Sequence, residues 1–218
     1  MYQQLLQDVQ KHNATLIAVS KTKPVADIKA LYLQGQRHFG ENKVQELVDK
    51  YESLPKDIQW HLIGHLQTNK VKYIVPFVHL IHSVDSIKLL REIQKEAAKI
   101  YRNVSVLLQL YVATEETKFG LSLTEAQELL DEYHQNKEQY NYINICGIMG
   151  MASFTDNSAQ VQQEFKTLRN NFQILKDTYF PFDNKFREIS MGMSGDYAMA
   201  LAEGSTMIRV GSLLFGAR

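Results

Sequence analysis

The chain carries no excess of charge of either sign: Lys and Arg total 24, Asp and Glu total 24, and the formal net charge is zero. No basic field exists to gather nucleic acid or anionic lipid, so any anion must be held by local geometry. Cysteine is nearly absent. The single Cys146 cannot close an internal disulfide, and in the apolar run YINICGIMGM it reads as a small hydrophobe of a core strand. No apolar stretch approaches the roughly 20 residues of a membrane-spanning helix. The opening MYQQLLQDVQKHN lacks the basic-then-apolar pattern of a secretory signal. Proline is scarce, with 4 in 218 residues, and no Pro/Gly-rich linker or low-complexity stretch divides the chain. These absences point to a cytoplasmic protein with one domain over residues 1–218, long enough to bury a sizeable core.

What the sequence does have is alternation. Short β-branched and apolar runs recur as TLIAVS, RHFGE, WHLIG, HLIHSV, VSVLLQLYV, YINICGIMG, REISM and TMIRVG, with helical patterns between them. The clearest helix is expected over residues 158–179, where Val161, Phe165, Leu168, Phe172 and Leu175 form an apolar stripe. A second starts near Asp85 as N-cap, and a third has Pro24 in its first turn. Eight candidate strands, each but the last followed by a helix, with one helix ahead of the first, imply parallel strands joined by right-handed crossovers. The expected fold is a closed (β/α)₈ barrel at its compact limit. A doubly wound open sheet is the alternative, and no strand–Gly-x-Gly-x-x-Gly–helix fingerprint supports it.

In such a barrel chemistry collects at the C-terminal ends of the strands. Those ends read Ser20-Lys21, Gly40-Glu41-Asn42, Gly64-His65, Ser83, Thr114, Met149-Gly150-Met151, Met191-Gly192-Met193-Ser194 and Arg209-Val210-Gly211-Ser212. SMGMSGDYAMALAEG sets glycines and Ser194 just before a helix expected near Asp196, a turn rich in free backbone N–H groups, and RVGS adds Gly211, a hydroxyl and Arg209. Loops after strands seven and eight are where this architecture tends to hold a phosphate, although each glycine alone reads as a turn residue. Lys21 ends the first strand on the same rim. A lysine amine so placed can form a Schiff base with a carbonyl compound, and an aldehyde bearing a phosphate would use both features. Lys23, just before Pro24, competes for that role but lies where the chain is leaving the strand. His61 and His65, four apart, could suggest metal ligation on a helix. Here they straddle a strand end, and no metal site is expected; His61 reads as a packed histidine and His65 as a rim residue.

The segments LIAVSKTKP, GQRHFGENKVQEL, WHLIGHLQTNK, HSVDS, KFGL, GIMGM and SMGMSGDYAMALAEGSTMIRVGSLLFGAR together resemble the pyridoxal phosphate homeostasis protein family, relatives of the alanine racemase-like fold-type III barrels. The resemblance runs from about Leu16 to Arg218. It implies pyridoxal 5′-phosphate held as an internal aldimine on Lys21, the first lysine of SKTKP. It assigns the phosphate to Ser190, Ser194, Gly195, Gly211 and Ser212, places Arg209 on the phosphate or the pyridine nitrogen, and sets Asn42 and Met151 along the ring. Two departures are visible: only about a dozen residues precede the first strand, and the sequence stops at FGAR with almost no tail after the last strand.

Racemases of that fold type take a second acid/base group, a tyrosine, from a separate β-domain of a partner subunit. The barrel uses all of this chain, and neither Tyr111 nor Tyr73 has a spacing that marks it as catalytic. A site with one base missing is poorly equipped for racemisation. The expectation is therefore a cofactor-binding protein, not an enzyme, that is monomeric and serves vitamin B6 and amino-acid balance, with pyridoxal phosphate-dependent apoenzymes as possible recipients. The alternatives are a pyridoxal phosphate-dependent racemase or lyase, and a cofactor-free Schiff-base aldolase.

Overall fold

The computed structural model describes residues 1–112 and 120–216. All eight expected strands form: β1 (Thr15–Val19), β2 (His38–Glu41), β3 (Gln59–Leu62), β4 (Leu80–Val84), β5 (Val104–Gln109), β6 (Ile143–Met149), β7 (Glu188–Ser190) and β8 (Met207–Val210). Each pairs in parallel with the next, and β8 returns to β1 with Leu16 opposite Ile208 and Ala18 opposite Val210, so the sheet closes into a barrel. The open sheet is excluded. Thr114, expected at the end of the fifth strand, lies outside the described residues.

The helices are α1 (Tyr2–Lys11), α2 (Val25–Leu33), α3 (Val44–Ser53), α4 (Val71–Ile74), α5 (Ile87–Lys99), α6 (Leu123–Gln135), α7 (Ser158–Tyr179), α8 (Tyr197–Ala202) and α9 (Ser212–Phe215). The α7 stripe sits as its periodicity predicts, with Val161, Phe165, Leu168, Phe172 and Leu175 all buried. Three expectations shift. The N-cap of α5 is Ser86, whose hydroxyl accepts from the Leu89 N–H, because Asp85 is turned toward His65 instead. Pro24 is the extended N-cap of α2, one residue ahead of its first turn. The last strand is also followed by a helix, the single turn α9.

Strand alternation divides the interior into two. Outward residues such as Phe39, Trp60, Leu62 and Ile81 pack under the helices in one continuous cluster with Phe165 and Leu168. Along β8, Ile208 and Val210 face outward and join Leu5 and Val9 of α1 with Leu16 and Leu201, so the short leading helix seals the closing seam. Inside the barrel, Ile17, Leu80, Leu107, Met149 and Met207 form a separate small cluster, with Cys146 packed against it. Polar residues share that space, among them His61, His82, Ser190 and Arg209.

Candidate functional site

The turn after β1 is fixed by a buried ionic network. Glu41, at the end of β2 and fully buried, accepts from Ser20 Oγ at 2.6 Å and Lys50 Nζ at 2.7 Å. Lys50 also donates to the Ser20 carbonyl at 2.7 Å and to Glu46 at 2.6 Å, one turn back on α3. Burial pushes the Glu41 carboxyl above its ordinary pKa, and the Lys50 and Ser20 hydrogen bonds oppose that shift. Glu46 also accepts from the Thr22 N–H at 2.6 Å. Thr22 has φ of 64°, a left-handed conformation unusual for a β-branched residue, and the network holds it there.

The two lysines of SKTKP therefore part company. Lys23 Nζ is spent on the carbonyls of Phe215 and Gly216, at 3.0 and 3.2 Å. Half-buried Lys21 has no hydrogen-bond or ion-pair partner among the described residues. Its strand lies between β2 and β8, so its neighbours on the rim are the Asn42 turn and the Gly211–Ser212 turn. Asn42 is half-buried, and its backbone is crowded by Gly64, where a Cβ would meet the Asn42 carbonyl at 2.4 Å. A side chain at position 64 would displace that turn.

Loops after β7 and β8 meet. Ser194 Oγ accepts from the Gly211 N–H at 3.3 Å. Gly192 has φ of 92°, and a Cβ there would lie 2.5 Å from that of Ala200, so only glycine lets the loop fold onto α8. Asp196 closes the loop by accepting from the Met193 N–H at 2.5 Å, and burial raises its carboxyl pKa. Gly195 is exposed with open space around it, and Ser212 is exposed at the start of α9. Met151 lies 40% exposed just beyond β6. α8 has six residues and α9 four, so the anion-holding resource here is the loop N–H groups, with little added by helix dipoles.

Ser190 and Arg209 sit deeper than the loop residues. Arg209 is buried, donates to Ser190 Oγ at 2.7 Å and to the Gly150 carbonyl at 3.0 Å, and burial lowers its pKa to about 10, which leaves it charged at neutral pH. From Ser190 a line of imidazoles crosses the barrel. His82 Nδ1 lies 3.0 Å from Ser190 Oγ, His61 Nδ1 is 2.8 Å from His82 Nε2, and His38 Nδ1 is 3.0 Å from His61 Nε2. Burial pushes His61 and His82 well below the ordinary histidine pKa. His61 is packed, as expected, but within a line whose other members the sequence reading did not name. His65 is exposed and faces Asp85 at 3.3 Å. At the end of β4, Ser83 Oγ is buried without a partner among the described residues.

A closed parallel barrel that carries on one rim a lysine without a partner among the described residues, at the end of β1, and glycine loops after β7 and β8 belongs to a class: the (β/α)₈ barrel of the alanine racemase N-terminal type. The family model described as "Alanine racemase, N-terminal domain" matches residues 2–218. Within it, the chain belongs to the pyridoxal phosphate homeostasis protein family. It is 40% identical over 206 residues to the pyridoxal phosphate homeostasis protein of Aquifex aeolicus, covering 94% of this chain and 87% of that protein. It is 34% identical over 220 residues to the protein of the same name from Schizosaccharomyces pombe, covering 99% and 89%. The solved structure of PipY from Synechococcus elongatus without PLP superposes with a TM-score of 0.88 at 35% identity, covering 98% of this chain and 99% of that one. PipY with PLP bound gives 0.83 over the same shares. An alanine racemase of Clostridium difficile, 16% identical, superposes at 0.77 over 98% of this chain and 56% of its own, and shares the fold.

Proposed function

We propose that this protein holds pyridoxal 5′-phosphate reversibly through the Lys21 amine and so buffers or delivers a reactive aldehyde. The observation that carries the reading is the division of labour in SKTKP: Lys23 is tied to the Phe215 and Gly216 carbonyls, while Lys21, on the rim, has no partner among the described residues. The residues fit the cofactor. An amine for its aldehyde, loop N–H groups and hydroxyls for its phosphate, and the orphaned buried hydroxyl of Ser83 all belong to the C-terminal ends of the strands. When bound, the cofactor supplies an aldehyde conjugated to a pyridine ring.

Lys21 would hold the cofactor through its aldehyde. Ser194, Gly195, Gly211 and Ser212 take the phosphate, and Asn42 and Met151 border the ring. Ser190 would join the phosphate set, and the Arg209 guanidinium, fixed by Ser190 and Gly150, would supply a positive charge to the phosphate or a hydrogen bond to the pyridine nitrogen. The relatives are named for homeostasis and not for a reaction, which supports a carrier. This reading extends to a monomeric, cytoplasmic protein of one domain that hands the cofactor to pyridoxal phosphate-dependent apoenzymes.

The test is absorbance and mass spectrometry of the full chain after loading and borohydride reduction. A visible chromophore and an adduct on Lys21, both lost in Lys21→Ala, are expected. A colourless protein that takes up no cofactor, or an adduct on another lysine, overturns the reading. Incubation with single-enantiomer amino acids separates carrier from enzyme: turnover that depends on Lys21 would replace the carrier with a racemase or lyase.

A further inference from the structure

The N-terminal end of the barrel, opposite the rim that carries Lys21, holds a second concentration of chemistry. His38 opens β2, His61 lies in β3 and His79 immediately precedes β4, so three successive strands bring an imidazole to one place. The ring centroids form a nearly equilateral triangle: 5.2 Å for His38–His61, 5.2 Å for His61–His79 and 5.6 Å for His38–His79. One ring nitrogen from each lies within 4.8 Å of the other two. Three imidazoles on a tetrahedral zinc, at about 2.0–2.1 Å from metal to nitrogen, would have centroids about 5 Å apart and nitrogens about 3.3 Å apart. The triangle has that size, and His38 Nδ1 and His61 Nε2 already face one another at 3.0 Å.

We propose that His38, His61 and His79 bind a divalent transition-metal ion of the zinc class, with the fourth position open at the base of the barrel. An all-imidazole donor set suits Zn²⁺, Cu²⁺ or Ni²⁺ and disfavours Mg²⁺ and Ca²⁺, which want oxygen. His79 is exposed, and its ring makes no hydrogen bond among the described residues, so it can turn onto an ion. It also lines a cleft of about 440 Å³ with Cys146, Arg187 and Glu188, which gives the open position access to solvent.

Support behind the ligands is also present. A metal on His61 Nε2 leaves the proton on Nδ1, which donates to His82 Nε2 at 2.8 Å; His82 then donates from Nδ1 to Ser190 Oγ at 3.0 Å. This is the arrangement in which a ligating histidine is oriented through its other nitrogen. It fixes every tautomer along the line and leaves the Ser190 hydroxyl proton directed away from His82. The proposal does not rest on the cofactor reading.

The test is titration of the full chain, stripped with chelator, with Co²⁺ followed by Zn²⁺, with and without pyridoxal phosphate. We expect one equivalent of Co²⁺ with the intense visible bands of a tetrahedral site, displaced by Zn²⁺ in both preparations. His79→Ala and His38→Ala should each weaken binding at least tenfold, and His65→Ala should not change it. His79 is exposed, so the first of these variants keeps the fold, which circular dichroism verifies. Absence of tetrahedral bands in the wild type, or binding that survives His79→Ala or that needs the cofactor, overturns the proposal.

Discussion

The barrel wall separates two interiors of opposite character. Outside it, between strands and helices, lies a continuous apolar layer that includes Phe39, Trp60, Phe165, Leu168 and Phe186. Inside it, a small apolar cluster around Ile17, Leu107 and Met149 shares the space with His61, His82, Ser190 and Arg209. The outer layer depends on volume and tolerates exchange of one hydrocarbon for another of like size. The inner one depends on direction, because each buried polar atom needs its partner. The first therefore carries stability, and the second carries geometry for the rim above it.

This contrast can be broken by substitution. Phe165→Ala, in the fully buried outer layer, is expected to cost about 3–5 kcal/mol in chemical denaturation, with cofactor retention in the folded fraction unchanged. Glu41→Ala removes the acceptor shared by Ser20 and Lys50, though Glu46 remains to Lys50. The expected cost is about 3 kcal/mol, together with a weakened Lys21 adduct, since Ser20, next to Lys21, loses its acceptor while Glu46 still holds Thr22. Arg209→Met is expected to cost about 2 kcal/mol, less than Phe165→Ala, yet to weaken cofactor retention at least tenfold by dialysis. Equal losses of retention in Phe165→Ala and Arg209→Met would erase the distinction between the two layers.

A smaller effect sharpens it. His134, on α6 in the outer layer, is held below its ordinary pKa by burial, and its Nε2 has no partner among the described residues. The unfolded chain binds a proton there near about pH 6.5, while the folded chain does so only at lower pH, so stability is lost as pH falls through that window. His134→Gln should flatten the acid side of a Tm-versus-pH curve by about one proton's contribution. An unchanged slope would show that the ring is not held neutral by its surroundings.

The outer layer was legible in the sequence and the inner one was not. The α7 stripe announces itself because Val161, Phe165, Leu168, Phe172 and Leu175 repeat at the helical period against a polar background. The eight strands announce themselves as β-branched runs, and their number and alternation favour the closed barrel over the open sheet, which the pairing of β8 with β1 then excludes. His61 and His82 hide inside such runs, in WHLIG and HLIHSV, where a single polar residue looks like a minor interruption. Their pairing depends on the stagger between neighbouring strands, with His61 level with Leu80 and two residues behind His82, and on a contact across the barrel to Ser190. Register of that kind is set by closure of the whole sheet, which no local pattern encodes. At the rim, the position of Lys21 could be read from the strand end. Its freedom relative to Lys23 could not, because the partners of Lys23 lie 192 and 193 residues further along the chain.

That long-range tie has a consequence for biogenesis. The ammonium of Lys23 is clasped by carbonyls of Phe215 and Gly216, which follow it by 192 and 193 residues and lie beyond β8. The segment that presents the neighbouring amine is thus latched only after translation reaches the last strand–helix unit. A chain interrupted before β8 would leave the Lys23 amine as unengaged as that of Lys21, whereas the closed barrel sets the two apart.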